Sequence, residues 1–245
     1  MSRGHFLLLM NPPLPSSLVD LPALLRGEPE ATRQGIESAG LRPWAVQAAC
    51  VFLGAGLFGA AVGSWTSPQQ ALYAALKLPL ILFLTGLGNG LLNAVAAPLL
   101  GLNLPAGQTL RSILLSFAMA AIILGGFSPL LGFLVWNTPS SRGTGAFGGH
   151  SLLLVAQAGM IAVAGVAANL RLWQLLRRQS RDAATATRVM LFWLGGNLLL
   201  GSQLSWVFRP IVGSPNLPVQ FLRGDPMHGS FYESLFHAFH RLFQP

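Results

Sequence analysis

The sequence predicts an all-α fold, a polytopic transmembrane bundle of about five spans with an irregular N-terminal arm and a C-terminal amphipathic helix. Three observations carry this expectation. Only 9% of the 245 residues are charged, against roughly 25% in a soluble domain, and the mean hydropathy is +0.56. Several apolar stretches are long enough to cross a hydrocarbon core of about 30 Å, which takes roughly 20 helical residues. All six tryptophans fall near the ends of those stretches, where an indole keeps its ring in the apolar layer and its N–H near the headgroups.

Residues 1–43 form a polar arm broken by Pro12, Pro13, Pro15, Pro22 and Pro29. Within it, Ser17 to Arg26 suits a segment on the membrane surface or a solvated linker. Glu28, Glu30, Arg33 and Glu37 suggest a short polar helix ending at Gly40. The first span, 44–64, is bracketed by Trp44 and Trp65 and carries a G-x-x-x-G at Gly59 and Gly63. Such small residues let helix backbones approach closely.

A link over 66–77 leads to the second span, 78–100, which has no charged residue. Thr85, Asn89 and Asn93 recur every four residues on one face, and Gly86 and Gly90 repeat the G-x-x-x-G on an adjacent strip. That face should point at other helices. The third span, 109–136, contains Gly125-Gly126 and Ser128-Pro129, a predicted kink because proline lacks a backbone donor and clashes with the preceding turn. Residues 137–149 are rich in turn formers and read as an exposed loop. The fourth span, 151–168, offers Ala158, Ala162, Gly165 and Asn169 for close packing and leads into a basic stretch with Arg171, Arg177, Arg178, Arg181 and Arg188. The fifth span is 189–208, with Trp193 and Trp206 toward its ends.

The tail, 209–245, divides in two. Arg209 to Arg223 holds Pro210, Pro215 and Pro218 and should run extended over the bundle surface. Arg209 then sits at the membrane boundary, able to meet headgroup phosphates or the carbonyl end of a helix. Ser230 and Glu233 form a capping box opening a helix to Phe243, with Phe231, Leu235 and Phe239 predicted to face down. Arg209, Arg223, Phe231 and Tyr232 are the candidate cap or headgroup contacts.

Basic residues set the orientation. With the N-terminus in the cytoplasm, the inner segments hold ten of the cationic residues and the outer segments five; over the short loops alone the count is six against two. The N-terminus is therefore expected inside and the tail outside. A formal net charge of +8 is explained in such a chain by topology and anionic lipid headgroups, without nucleic acid. Cys50 is the single cysteine, which excludes a disulfide within the chain.

Every acidic residue lies outside the predicted spans. Cation-coupled carriers usually place a carboxylate near the bilayer midplane, so this composition argues against an active transporter. The sequence contains no G-x-S-x-G elbow, Walker loop, H-E-x-x-H motif or paired-carboxylate spacing. No catalytic residue, cofactor or metal is therefore expected. Glu233, His237 and His240 share one helical face but read as a solvated polar stripe rather than a metal site.

From Leu21 to Trp136 the order of features resembles bacterial members of the Yip1 family of five-span membrane proteins. The residues are the proline-containing arm, Lys77-Leu-Pro-Leu opening the second span, Leu100-Gly101 ending it, Gln108-Thr109 opening the third, and Ser128-Pro129. The tail is similar to that of a group of bacterial proteins with the same plan, through Gln203, Trp206, Arg209-Pro210, Gly213-Ser214-Pro215, Pro218, Phe221, Arg223 and Gly229 to Tyr232; Ile211 and Ser230 depart from that pattern. The resemblance implies a five-span bundle with a role in membrane organisation or as a partner subunit, and brings no catalytic residues.

Two functional expectations follow. One is a non-enzymatic integral scaffold or accessory subunit of the bacterial inner (cytoplasmic) membrane. It would pack with its own helices, a second copy or a partner membrane protein through small-residue faces and the C-terminal cap. The other is a passive channel or lipid-handling protein that uses the Thr85, Asn89 and Asn93 face. They differ in whether those side chains reach a water-accessible cavity.

Overall fold

The computed structural model describes residues 40–102, 105–142, 144–180, 182–215 and 217–243. The polar arm up to residue 39, with its predicted surface segment and short helix, lies outside them. Five long helices follow one another: α1 (Arg42–Gly63), α2 (Pro68–Leu99), α3 (Ala106–Trp136), α4 (Ala146–Gln179) and α5 (Ala183–Val207), and then a short α6 (Phe231–Phe243). No strand occurs among the described residues, and all five long helices are long and apolar enough to cross a membrane. The protein is a multi-pass helical bundle.

Three helices start on local signals. Pro43 stands in the first turn of α1 and Pro68 in that of α2, where a missing N–H costs nothing. The Ser67 hydroxyl accepts the Gln70 backbone N–H at 3.0 Å, capping α2. Asp182 caps α5 by accepting the Thr185 N–H at 2.7 Å, and the Thr185 backbone and hydroxyl hold its carboxyl below the usual range.

Helices α2, α3, α4 and α5 form a ring in which each touches the next, and α1 lies in the furrow between α2 and α3. One apolar cluster, around Ile113, Met119, Leu172 and Trp193, fills the ring between α2, α3, α4 and α5. A second, around Val51, Phe58, Ile81, Leu124 and Leu153, joins α1 to the ring and includes Val212 of the tail. Alternating helix directions bring the α1–α2 and α3–α4 connections and the tail to one end of the bundle, called here the tail end.

Several boundaries differ from expectation. Residues 68–77 are the first turns of α2, not a link. At 1.5 Å per residue its 32 residues span about 48 Å, more than a hydrocarbon core, so a hydropathy window captures only the apolar part. The predicted loop at 137–149 gives way to helix from Ala146, and its Thr138 and Ser141 are buried. As expected, α3 is a single helix with Pro129 inside it; the Ser128 hydroxyl donates to the Leu124 carbonyl at 3.3 Å. Trp193 is fully buried in the ring rather than at a boundary.

Candidate functional site

The polar face of α2 packs against α5. Asn89 and Asn93 are 0% exposed and Thr85 2%. The Asn89 amide donates to the Trp193 carbonyl at 3.0 Å and to Asn197 Oδ1 at 2.6 Å, crossing from α2 to α5. Asn93 donates to the backbone carbonyl and side-chain oxygen of Asn89, at 2.7 and 2.8 Å. Asn89 is thus the hub, and Asn93 orients it from one turn below. A Cβ built on Gly196 would fall on Asn89 Oδ1, so this glycine lets the amide reach α5. Thr85 abuts Gly201, and its hydroxyl has no hydrogen-bond partner among the described residues.

The sequence did not single out Asn197; one Asn beside Gly195-Gly196 in an apolar span was the available signal.

The predicted glycine faces meet different neighbours. On α1, a Cβ at Gly59 would fall on the Ala74 carbonyl, and one at Gly63 would lie 2.6 Å from the Gln70 carbonyl, both on α2. Gly54, not singled out from sequence, meets the Ala121 carbonyl of α3 in the same manner. Gly86 and Gly90 face Phe117 and Leu110 of α3.

At the tail end, the strap after α5 divides: Pro210, Val212, Gly213 and Pro215 are buried rather than on the surface, whereas Leu217, Pro218, Gln220, Phe221 and Leu222 are exposed, as expected. Polar groups of the α1–α2 corner hold its backbone. Gln70 Nε2 donates to the carbonyls of Pro210 and Ile211, each at 2.9 Å. The Thr66 hydroxyl donates to the Val212 carbonyl at 2.8 Å. Gly213 has φ of +99°, and a Cβ there would collide with Thr66, so both backbone and space call for glycine.

Lys77 is 0% exposed. Its ammonium donates to the Pro210 carbonyl at 2.8 Å and lies 5.0 Å from the Phe221 ring centre and 6.0 Å from that of Tyr73. These two rings meet edge to face at 5.3 Å. No carboxylate pairs with Lys77 among the described residues. A buried ammonium loses several kcal/mol of hydration, offset here by a carbonyl dipole and two aromatic faces. Read from sequence as an outer-link residue, Lys77 is instead part of the clasp on the tail. Its separation of seven from Gln70 puts both on one face of α2.

The four predicted cap residues divide. Arg209 stacks on the Trp206 ring at 4.0 Å and donates to the carbonyls of Trp206, Asp225 and Pro226, which closes the tail into a loop. Arg223 donates to Ser214 Oγ at 2.8 Å within the strap. The Tyr232 hydroxyl donates to the Leu198 carbonyl of α5 at 3.2 Å, and Phe231 is half-buried. Helix α6 docks on α4 and α5 with Ala238 buried and Phe231, Ser234 and Leu235 half-buried. Phe239, expected to face down, is 53% exposed and shares the outward side with Tyr232 and Phe236. The side turned to the bundle is instead the one that carries the small Ser234 and Ala238, which lets the helix approach closely. Glu233 and His237 approach at 3.9 Å, and no group of three metal-ligating side chains occurs among the described residues.

Replacing Gln70 with leucine leaves the Ile211 carbonyl without this donor. An orphaned buried acceptor costs about 1–3 kcal/mol, which multiplies the open population of the strap roughly 5- to 150-fold. Cleavage that follows the open population should then speed up at Arg223 by at least severalfold under limited trypsin. An unchanged cleavage rate would show that Gln70 does not hold the strap.

Comparison of the chain with protein-family models, with curated proteins and with solved structures yields no match.

Proposed function

We propose that this protein is a non-catalytic integral scaffold or accessory subunit of the bacterial inner (cytoplasmic) membrane, of the Yip1-like five-span kind. We further propose that its N-terminus is cytoplasmic and its tail outside. The observation that carries the reading is the use made of the intramembrane amides. Asn89 spends both amide hydrogens on α5, and neither asparagine is exposed to solvent. A conducting path needs polar groups that face water and exchange partners with the permeant species; here Asn89 is committed to holding α2 to α5 and Asn93 to holding Asn89. The glycines Gly54, Gly59 and Gly63 of α1 are likewise occupied by the bundle's own helices.

The surface left for a partner is the tail-end cap, where Met227, Tyr232, Phe236 and Phe239 are exposed side chains on a frame tied to the bundle through Arg209 and Gln70. Aromatic residues on a rigid support favour an interface because little conformational entropy is lost on binding.

In reconstituted vesicles, solute flux should equal that of protein-free vesicles. A photo-reactive side chain at position 236 should give one defined protein adduct in native membranes, absent when the probe is moved to lipid-facing position 95. Flux that disappears on changing Asn89 would replace this reading with the channel one.

A further inference from the structure

A cavity of about 260 Å³ lies on the side of the bundle where α1, α2 and α3 meet, in the half away from the tail. Trp44 of α1, Phe83 and Gly86 of α2, and Leu110, Leu114 and Phe117 of α3 wall it. The lining is apolar throughout. Gly86 adds room to it by carrying no side chain, and a Cβ there would meet only the Phe117 ring, at 3.4 Å. Leu87 at its edge is 51% exposed, so the cavity is a groove open sideways on the lipid-facing surface. It extends over two turns of helix, from Trp44 to Val51 and from Leu110 to Phe117, which is about 10 Å or a third of the hydrocarbon core.

The mouth has a charge. The Arg111 guanidinium, 6% exposed, lies 5.8 Å from the centre of the Trp44 ring, and Arg42 is an exposed cation at the start of α1, two residues before Trp44. The groove therefore begins at a boundary with one exposed cation and an interfacial indole and runs inward between apolar walls. A phospholipid has the matching order, with phosphate outside and a chain inside. An empty apolar groove loses its dispersion contacts on one side, and a straight chain supplies them without bringing a polar atom into the membrane.

We propose that this groove binds one acyl chain of a glycerophospholipid, with its phosphate at the Arg42 and Trp44 end. The site does not depend on the scaffold reading.

Native mass spectrometry of the whole protein, released from mild detergent with dioleoyl phosphatidylglycerol added, provides the test. One lipid adduct should persist at activation energies that strip the rest. Gly86→Leu and Leu114→Trp, which fill the groove, should each reduce its occupancy at least tenfold. Gly126→Leu, on an α3 position with open space around it, should leave it unchanged. Arg42→Gln should weaken retention of the phospholipid severalfold and leave an added diacylglycerol unaffected.

A photo-reactive side chain at position 87 keeps the proposal falsifiable if the filled variants misfold, and it should label lipid in native membranes. Equal adducts on wild-type and folded groove-filled proteins, which would indicate general annular lipid, would overturn the proposal. So would a protein adduct in place of lipid at position 87.

Discussion

Gly59→Leu is expected to prevent assembly of the native bundle, visible as loss of the monodisperse peak in mild detergent. At this position a Cβ would fall on the Ala74 carbonyl of α2, and four residues later Gly63 is also in backbone contact, with Gln70. On another side of the same helix, Gly54 stands against the Ala121 carbonyl of α3. Helix α1 is therefore wedged against two backbones, neither of which can swing aside as a side chain can. Overpacking a core with movable side chains costs about 1–3 kcal/mol. Here the helices must separate, which also opens the apolar cluster of Val51, Phe58 and Ile81, so the loss should exceed that range. Gly59→Ala should give a smaller defect of the same kind. Gly132→Leu, on an α3 site with nothing within 4 Å, should assemble normally. Wild-type elution and melting of Gly59→Leu would mean that α1 does not pack this closely.

The contrast between Gly59 and Gly132 shows how much a sequence of this kind reveals. Five apolar stretches appear as five helices, because the need to satisfy every backbone group inside a bilayer leaves few alternatives. A G-x-x-x-G pattern also marked the α1 glycines in backbone contact with α2. It does not reveal which neighbour a glycine meets, and the isolated Gly54 shows that the spacing itself is not required. Helix ends were misjudged where amphipathic turns extend past the hydrocarbon layer, as at Pro68–Lys77, although the Ser67-Pro68 start signal was present. The clasp on the strap was not legible, since it pairs side chains of α2 with carbonyls 133 to 141 residues away, and carbonyls have no sequence signature. Asn89 was legible as an intramembrane polar group, while its partner Asn197 was not.

Asn89→Leu should insert and assemble but melt at a lower temperature in detergent. Leucine is close to asparagine in size and more apolar, so insertion is not impaired. The loss is at the α2–α5 contact, where the Trp193 carbonyl and Asn197 Oδ1 each give up a donor and Asn93 gives up the side-chain oxygen that it bonds at 2.8 Å. Hydrogen bonds between membrane helices contribute about 0.6–2 kcal/mol, and a buried acceptor left without a donor costs about 1–3 kcal/mol. For a chain of this size each kcal/mol is roughly 2–4 °C in melting temperature, so a drop of about 4–10 °C is expected. Asn93→Leu should cost less, because both of its bonds stay within α2. Asn197→Leu should fall between the two, and combining it with Asn89→Leu should be clearly less than additive, since both remove the same 2.6 Å bond. Additive losses, or an Asn89→Leu protein as stable as wild type, would mean that the amide pair does not hold α2 to α5.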